Sequence, residues 1–197
     1  METLRNASVP SAMMGRPGSG IEQVDIVVAD GAIASITPHQ PGPGRDLDRG
    51  LVLPAFVDMH THLDKGHIWP RRPNPDGSFM SALWAAEDDR KALWSADDVE
   101  RRMDFALRTA YAHGTAALRT HLDSIPPQDE ISWGVFDKLR TRWAGRIELQ
   151  AVSLVGPDDA VDAPWLDGIG RVVKRYGGVL GLAMSRFDRS KEAMLRI

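Results

Sequence analysis

From residue 51 onward, short apolar segments alternate with longer amphipathic ones, and this alternation constrains the fold more than any other feature. Predicted strands begin near residues 51, 115, 147 and 179, and the last two intervals are both 32 residues. Strand–helix–strand units with short connections form parallel sheets. The even spacing favours a (β/α) barrel, although an open doubly wound sheet is also compatible with it. No glycine-rich fingerprint follows the first strand, which argues against a dinucleotide-binding fold.

Hydrophobic periodicity and turn residues place the individual elements. The predicted strands cover residues 51–60, 115–122, 147–155 and 179–183, and the predicted helices cover residues 79–92, 95–113, 129–144, 163–176 and 186–197. Ser95 opens the second helix with a variant of the capping box, and His113-Gly114 closes it. A barrel of eight units needs about 250 residues. Residues 51–197 are therefore predicted to form the N-terminal part of a (β/α)8 TIM-type barrel, truncated after about four strands.

A separate small β segment is predicted before the barrel. Two β-branched runs between Asp25 and Ile36 flank Asp30-Gly31, which is a strong hairpin signal. Residues 38–50 are rich in proline and glycine and predict a connecting loop. We therefore divide the chain into an N-terminal β segment, residues 1–50, and the partial barrel, residues 51–197.

Composition excludes several classes of protein. The 197-residue chain is 43% hydrophobic, has a net charge of −3 and contains no cysteine. Scattered basic residues give no nucleic-acid footprint, and the lack of cysteine excludes disulfides and thiolate metal sites. Residues 1–20 have no apolar core of a signal peptide, and no apolar run is long enough to span a membrane. These features predict a cytoplasmic globular protein with no nucleic-acid or membrane partner.

The chemistry of the chain centres on His60 and His62, at the end of the first predicted strand of the barrel. The preceding apolar residues predict that this strand is buried, with the histidines at the mouth of a core. Side chains at positions i and i+2 of a strand point to the same face, so the two imidazoles are expected to stand side by side. Neutral imidazole is the commonest protein ligand of transition metals. Two histidines that end a core strand without binding metal are the alternative.

The segment Leu53-Pro-Ala-Phe-Val-Asp-Met-His-Thr-His-Leu-Asp-Lys65, preceded by the Asp-Gly hairpin, resembles the start of an amidohydrolase-superfamily enzyme. The region Glu87–Leu93 and the segment Leu118-Arg-Thr-His-Leu-Asp123 resemble the cytosine deaminase-like branch in particular. The resemblance implies that a small β-sandwich precedes a metal-bearing (β/α)8 barrel. It extends over roughly residues 21–183.

This resemblance implies a metal-dependent deaminase that hydrolyses a C–N bond of a cyclic amidine or amide and releases ammonia. His60 and His62 would bind one divalent metal ion, zinc or iron. The family completes its site with a histidine on strand 5, an aspartate on strand 8 and a proton-transferring glutamate near that histidine. No residue of this chain corresponds to them, so its catalytic acid and base stay unassigned.

Three further residues are predicted to contact a small nitrogen-heterocycle substrate. His121 ends the second barrel strand and is interpreted as a contact of the substrate or of a metal ligand, or else as a histidine hydrogen-bonded at a strand end. Asp64 and Lys65 follow the metal pair and either position the substrate or form a solvated turn. The acidic run 87–89 is interpreted as a solvated helix face.

Two departures from the family pattern narrow the prediction. Residues 179–184 contain no lysine that could bridge two metals, which favours the one-metal branch. Residues 154–157 lack the glutamine with which cytosine deaminases read their substrate, which argues against cytosine. Two alternatives to an active hydrolase are a truncated, catalytically incomplete fragment or pseudoenzyme, and a binding or assembly module. The sequence does not distinguish a monomer from a homo-oligomer.

Overall fold

The computed structural model describes residues 1–74, 76–156 and 160–183. The chain divides into two compact units, Met1–Ala55 and the residues from Phe56 onward. The predicted helix over residues 186–197 lies outside the described residues, as do Pro157 and Met184 of the two stretches compared with the family. No helix in the described ranges is both long and apolar enough to cross a membrane.

The first unit is a single four-stranded sheet. Its strands are β1 (Glu2–Pro10), β2 (Ile21–Ala29), β3 (Ala32–Pro38) and β4 (Arg45–Asp46), and a 3₁₀ turn (Ser11–Met14) follows β1. They are ordered β3-β2-β1-β4, with β1 antiparallel to β2, β2 antiparallel to β3, and β4 parallel to β1. Ala7, Val9, Val24 and Ile26 form its small buried cluster.

The structure confirms the predicted hairpin and corrects the rest of the N-terminal segment. Asp30 and Gly31 connect β2 to β3 with φ angles of 53° and 77°, the left-handed geometry that two-residue hairpins require. Strand β1 was not predicted, because polar residues interrupt its apolar pattern. Residues 1–55 form one sheet with a small buried cluster, and the β-sandwich that the resemblance implies for this segment stays a prediction.

The second unit is a parallel α/β structure, as the alternation of elements predicts. Its strands are β5 (Phe56–Thr61), β6 (Thr115–Asp123) and β7 (Glu148–Leu154), in the order β5-β6-β7, and all are parallel. Its helices are α1 (Phe79–Leu93), α2 (Ala96–Ala112), α3 (Gln128–Trp143) and α4 (Ala163–Tyr176). Each lies within two residues of its predicted bounds.

The predicted fourth barrel strand, residues 179–183, is reduced to a single bridge between Val179 and Val152. The Val179 amide donates to the Ala151 carbonyl at 3.0 Å, and the Ser153 amide donates to the Val179 carbonyl at 2.9 Å. Gly181 bonds to the Ser153 hydroxyl through both its amide and its carbonyl, and the Ala183 amide then donates to the Val155 carbonyl at 2.9 Å. The chain thus takes the position next to β7 in a parallel direction but forms little regular strand.

Helices α2, α3 and α4 cover one face of the parallel sheet and bury a common core there. Alternate residues of β6 and β7 point into this core, among them Leu118, Leu122 and Leu149, against residues of α2, α3 and α4 such as Met103 and Phe136. The same alternation directs the remaining residues of β6 and β7 to the opposite, open face.

The prediction that the first barrel strand is buried is wrong for the described structure. The strand begins at Phe56 instead of residue 51, and its Phe56, Val57 and Met59 side chains are 54%, 70% and 76% exposed. The cause is positional, since β5 is the edge strand of the described sheet and Val57 lies on its open face.

Candidate metal centre

A β-bulge decides where the two histidines of β5 point. Asp58 pairs with Leu118 and Thr61 pairs with Thr120, so three steps along β5 match two steps along β6. Leu118 and Thr120 are buried on the helix-covered face, and Asp58 and Thr61 share that face with them. The extra residue on β5 therefore leaves His60 and His62 on the open face.

Three imidazole rings meet on this open face, at the carboxyl ends of β5 and β6. The ring centroids of His60 and His62 are 5.3 Å apart, and the His121 ring stacks on that of His60 with a centroid distance of 4.0 Å. The centroids of His62 and His121 are 5.7 Å apart. The structure thus brings His121 to the predicted pair.

The hydrogen bonding of His62 suits a metal ligand. Its Nδ1 lies 3.0 Å from the His121 backbone carbonyl, which can only accept, so Nδ1 carries the proton. Nε2 then holds the free lone pair, and a second ring nitrogen bound to a carbonyl is the usual support of a ligating histidine. Burial, with the Lys65 charge nearby, lowers the pKa of His62 and so favours the neutral, ligating form.

His121 has a related environment. Burial lowers its pKa, and the neighbouring imidazoles of His60 and His62 act in the same direction. Its ring is half-buried and lies against the ring of His60. In this position, His121 restricts the rotation of the His60 ring and presents a neutral imidazole at the open face of the sheet.

Asp64 is fully buried, which argues against the predicted contact between its side chain and a substrate. Its Oδ2 accepts the backbone N–H of Asp123 at 2.7 Å and so joins the loop after β5 to the end of β6. Burial raises the pKa of Asp64 to about 7, and the nearby Asp123 carboxylate adds to this increase. The structure assigns Asp64 to the support of the site.

Lys65 lies close to the surface and is paired. Its Nζ is 2.5 Å from Oδ1 of Asp123, and the side chain is 20% exposed. The guanidinium of Arg90 approaches the other oxygen of Asp123, with Nε at 3.9 Å. The Asp123 carboxylate therefore links Lys65 to α1, and the Lys65 ammonium is available to a substrate only in exchange for this pair.

An ionic network around two buried carboxylates, which no sequence pattern predicted, lies next to the histidine segment. Arg71 donates in bidentate fashion to both Asp89 and Asp98, and Arg102 donates from Nε to Asp98 at 2.9 Å. The indole of Trp94 also donates to Asp89, at 2.7 Å. Asp89 is fully buried, so the interpretation of the run 87–89 as a solvated face is wrong at this residue. Its partner Arg71 lies 18 residues away, outside any local pattern.

The described residues bring two candidate metal ligands together but form no complete metal site. Across residues 1–74, 76–156 and 160–183, no group of three or more histidine, cysteine, aspartate or glutamate side chains is arranged to hold a metal ion. A metal held by His60 and His62 would leave coordination positions for further ligands, water or substrate. The assignment of His60 and His62 as ligands stays a prediction that this geometry suits.

Sequence comparison relates the chain to one functionally described protein. It is 51% identical over 186 residues to a pterin deaminase of Rhizobium rhizogenes, an alignment that covers 90% of this chain and 43% of that protein. The chain thus spans less than half the length of this relative. No family model matches the chain.

Two solved structures share the fold. The 5-methylcytosine deaminase of Klebsiella pneumoniae matches 97% of this chain and 55% of its own, with a TM-score of 0.65 and 19% identity. The N-isopropylammelide isopropylaminohydrolase of Burkholderia multivorans matches 100% of this chain and 56% of its own, with a TM-score of 0.65 and 22% identity. The chain is thus a homologue of part of a pterin deaminase and shares its fold with a 5-methylcytosine deaminase and an N-isopropylammelide isopropylaminohydrolase.

Proposed function

We propose that this chain carries the first two ligands of a metal-dependent deaminase of the amidohydrolase type. The observation that supports this most directly is the His62 imidazole, whose Nδ1 bonds to the His121 carbonyl and whose Nε2 is left free on the open face of the sheet. His60 lies beside it, with its ring supported by His121. In this proposal, the parallel sheet is the N-terminal portion of a (β/α)8 barrel with one divalent ion, zinc or iron.

A divalent metal in this position supplies a Lewis acid that activates water for attack on a ring carbon bearing an amino group. The residues of this chain hold and shape that position. His60 and His62 bind through neutral imidazole, and Asp64 keeps the segment after them attached to β6 by accepting the Asp123 amide. His121 and Lys65 stand at the same strand ends, where they orient the substrate. The proton-transferring glutamate of the family has no counterpart here.

A pterin is the substrate class that we propose. The relative at 51% identity is a pterin deaminase, and pterins contain the cyclic amidine that the sequence predicts as the reacting group. Gln150 on β7 supports the prediction against cytosine, since its Oε1 accepts from Arg119 at 2.7 Å and it pairs with Arg119, two residues before His121. We keep the predictions of a cytoplasmic location and of no nucleic-acid or membrane partner.

The second candidate is a catalytically incomplete chain that acts at most in binding or assembly. This candidate is favoured because the chain offers only His60 and His62 as proposed ligands among its described residues, whereas catalytic metal sites of this kind commonly use three protein ligands or more. The described residues do not form such a group. The two candidates differ in whether the 197-residue chain binds metal and releases ammonia.

The test is to purify the chain and its His60→Asn and His62→Asn variants, and to measure zinc and iron per chain together with ammonia release. The substrates are pterin, guanine, cytosine and isocytosine. Stoichiometric metal and turnover of pterin, both lost in the two variants, are expected for the deaminase. Metal without turnover would support the incomplete chain, and metal retained by both variants would disprove the ligand assignment.

A further inference from the structure

The loop that follows the two histidines is held at two points by one buried carboxylate, that of Asp98 on α2. Near the middle of the loop, Arg71 donates to Asp98 from Nη1 at 2.6 Å and from Nη2 at 2.8 Å. At the start of the loop, Arg102 connects the same carboxylate to the backbone. Two arginines bonded to the carboxylate hold the pKa of Asp98 down, at about 2, so Asp98 is ionised at neutral pH.

Arg102 makes the contact with the histidine segment itself. Its Nη1 donates to the backbone carbonyl of Asp64 and, at 3.1 Å, to that of Gly66. Its guanidinium lies over the ring of Trp94, 4.9 Å from the centroid, and Arg102 as a whole is 7% exposed. The planar fork of arginine can bond a carboxylate and two carbonyls together, which an ammonium cannot do with the same geometry.

The segment that Arg102 holds is also fixed to β6 by three successive residues. The Nδ1 of His62 meets the His121 carbonyl, the Leu63 amide donates to Oγ1 of Thr120 at 3.0 Å, and the Asp64 carboxylate accepts the Asp123 amide. The first two contacts depend on the position of the chain just before Asp64. A displacement of the Asp64 carbonyl therefore transmits directly to the ring of His62.

We propose that Arg102 is a positioning residue for the metal-binding histidine pair. Held by Asp98, it draws the carbonyls of Asp64 and Gly66 toward α2 and so sets the distance between His62 and the His121 carbonyl. This inference rests on the proposed function for its chemical meaning, because the position of the His62 ring matters only when Nε2 binds a metal. The placement of the segment by Arg102 can be tested without metal.

The experiment compares Arg102→Met and Arg102→Lys with the unaltered chain, in the absence of metal. Amide hydrogen exchange at Leu63 and Asp123 reports the bonds that these amides donate to the side chains of Thr120 and Asp64, and the ring ¹⁵N shifts of His62 report its tautomer. We expect Arg102→Met to accelerate exchange at both amides by about tenfold or more, while the Ala151 amide on β7 changes by less than about threefold. The His62 ring is expected to change from the Nδ1-protonated form to a mixture of tautomers.

Arg108→Met is the matched control, since Arg108 lies on the same helix and pairs with Asp104 but is largely exposed. It is expected to change neither exchange nor tautomer. Arg102→Lys keeps the positive charge and replaces Arg102→Met in the test if the latter does not fold. We expect its effect on amide exchange and on the His62 tautomer to be intermediate. Equal acceleration at Leu63, Asp123 and Ala151, or an unchanged His62 tautomer, would overturn the inference.

Cobalt(II) titration separates this inference from the proposed function. A weaker cobalt affinity in Arg102→Lys, by about tenfold, is expected if the position of His62 limits metal binding. If the unaltered chain binds no cobalt, the proposed function loses its support, whereas the exchange and tautomer measurements still decide the role of Arg102.

Discussion

The carboxylate of Asp64 accepts the backbone N–H of Asp123 at 2.7 Å across the ends of two neighbouring strands, and it does so while fully buried. The like charge of Asp123 and the loss of water both penalise ionisation of Asp64, and its pKa rises from 3.8 to about 7. A buried hydrogen bond that connects the site is thus sensitive to pH near neutrality.

Replacement of Asp64 by asparagine tests this pH sensitivity. The folded chain holds the Asp64 proton up to about pH 7 and the unfolded chain only up to about pH 4, so the free energy of unfolding falls as pH rises between these values. Asparagine keeps an oxygen for the Asp123 amide and cannot ionise. We expect Asp64→Asn to match the parent at pH 4 and to be more stable by about 1–3 kcal/mol at pH 8.

Urea unfolding at a series of pH values measures this difference. Asp167→Asn, at an exposed position on α4, is the control and is expected to follow the parent throughout. A difference between Asp64→Asn and the parent that does not vary with pH would show that the Asp64 carboxyl does not titrate in this range.

The carboxyl of Asp98 is expected to change the free energy of unfolding with pH in the opposite direction to that of Asp64, and at lower pH. Arg71 and Arg102 lower its folded-state pKa from 3.8 to about 2, so the unfolded state takes up the proton first as the pH falls. Stability from this group is present above about pH 4 and is lost toward pH 2. Asp98→Asn should therefore cost about 2 kcal/mol at pH 7 and show a shallower loss of stability between pH 4 and 2.

Acid titrations of the two proteins, followed by near-ultraviolet circular dichroism, provide the check. The matched substitution is Asp97→Asn, the exposed neighbour in the first turn of α2. Parallel acid curves for the parent and Asp98→Asn would contradict the role of this carboxylate.

The pair of histidines is expected to be necessary for metal binding. His62→Asn removes the free Nε2, and because an amide is a poor ligand for zinc or iron, the variant should lose the bound metal that the parent retains after dialysis. His113→Asn is the control, since His113 is exposed at the end of α2, where its Nδ1 bonds to the Thr109 carbonyl. Elemental analysis of the dialysed proteins decides, and equal metal contents would exclude His62 as a ligand.

Trp133 anchors the core between α3 and the sheet. Its side chain is completely buried, and its indole N–H donates to Oγ of Ser124 at 2.9 Å. Trp133→Ala should lower the free energy of unfolding by about 3–5 kcal/mol, because it opens a large cavity and leaves the hydroxyl without its donor. Trp84→Ala, at a residue 59% exposed, should change it by less than about 0.5 kcal/mol. Denaturant unfolding followed by fluorescence compares the two.

Local sequence patterns predicted the helices and most of the strands because their signals lie within single segments. The periodicity of α4 and the turn at Asp30-Gly31 are of this kind. Strand β1 was missed because its polar residues, such as Arg5 and Asn6, interrupt the alternation. The predicted strand over residues 179–183 is longer than the single bridge observed at Val179, because an apolar run does not reveal how many backbone bonds form.

Of the site, only the consequences of the spacing between His60 and His62 along the chain could be predicted. The i, i+2 relationship correctly predicted that His60 and His62 share a face, but it contains no information about which face. The network of Arg71, Asp98 and Arg102 was missed because its members are separated by loops and helices. Asp98 belongs to the capping box that Ser95 opens, and its backbone N–H donates to the Ser95 hydroxyl, but its carboxylate binds the two arginines.

The extra residue in β5 has a consequence for how this segment can evolve. Deletion of the single codon for Met59 would remove the bulge, because Asp58 and Thr61 would then be two steps apart, as their partners Leu118 and Thr120 are. Regular alternation would keep both imidazoles on the open face. Deletion of the codon for Thr61 would instead make the two histidines adjacent and direct them to opposite faces. The segment should therefore tolerate the loss of a residue before His60 but not between the two histidines.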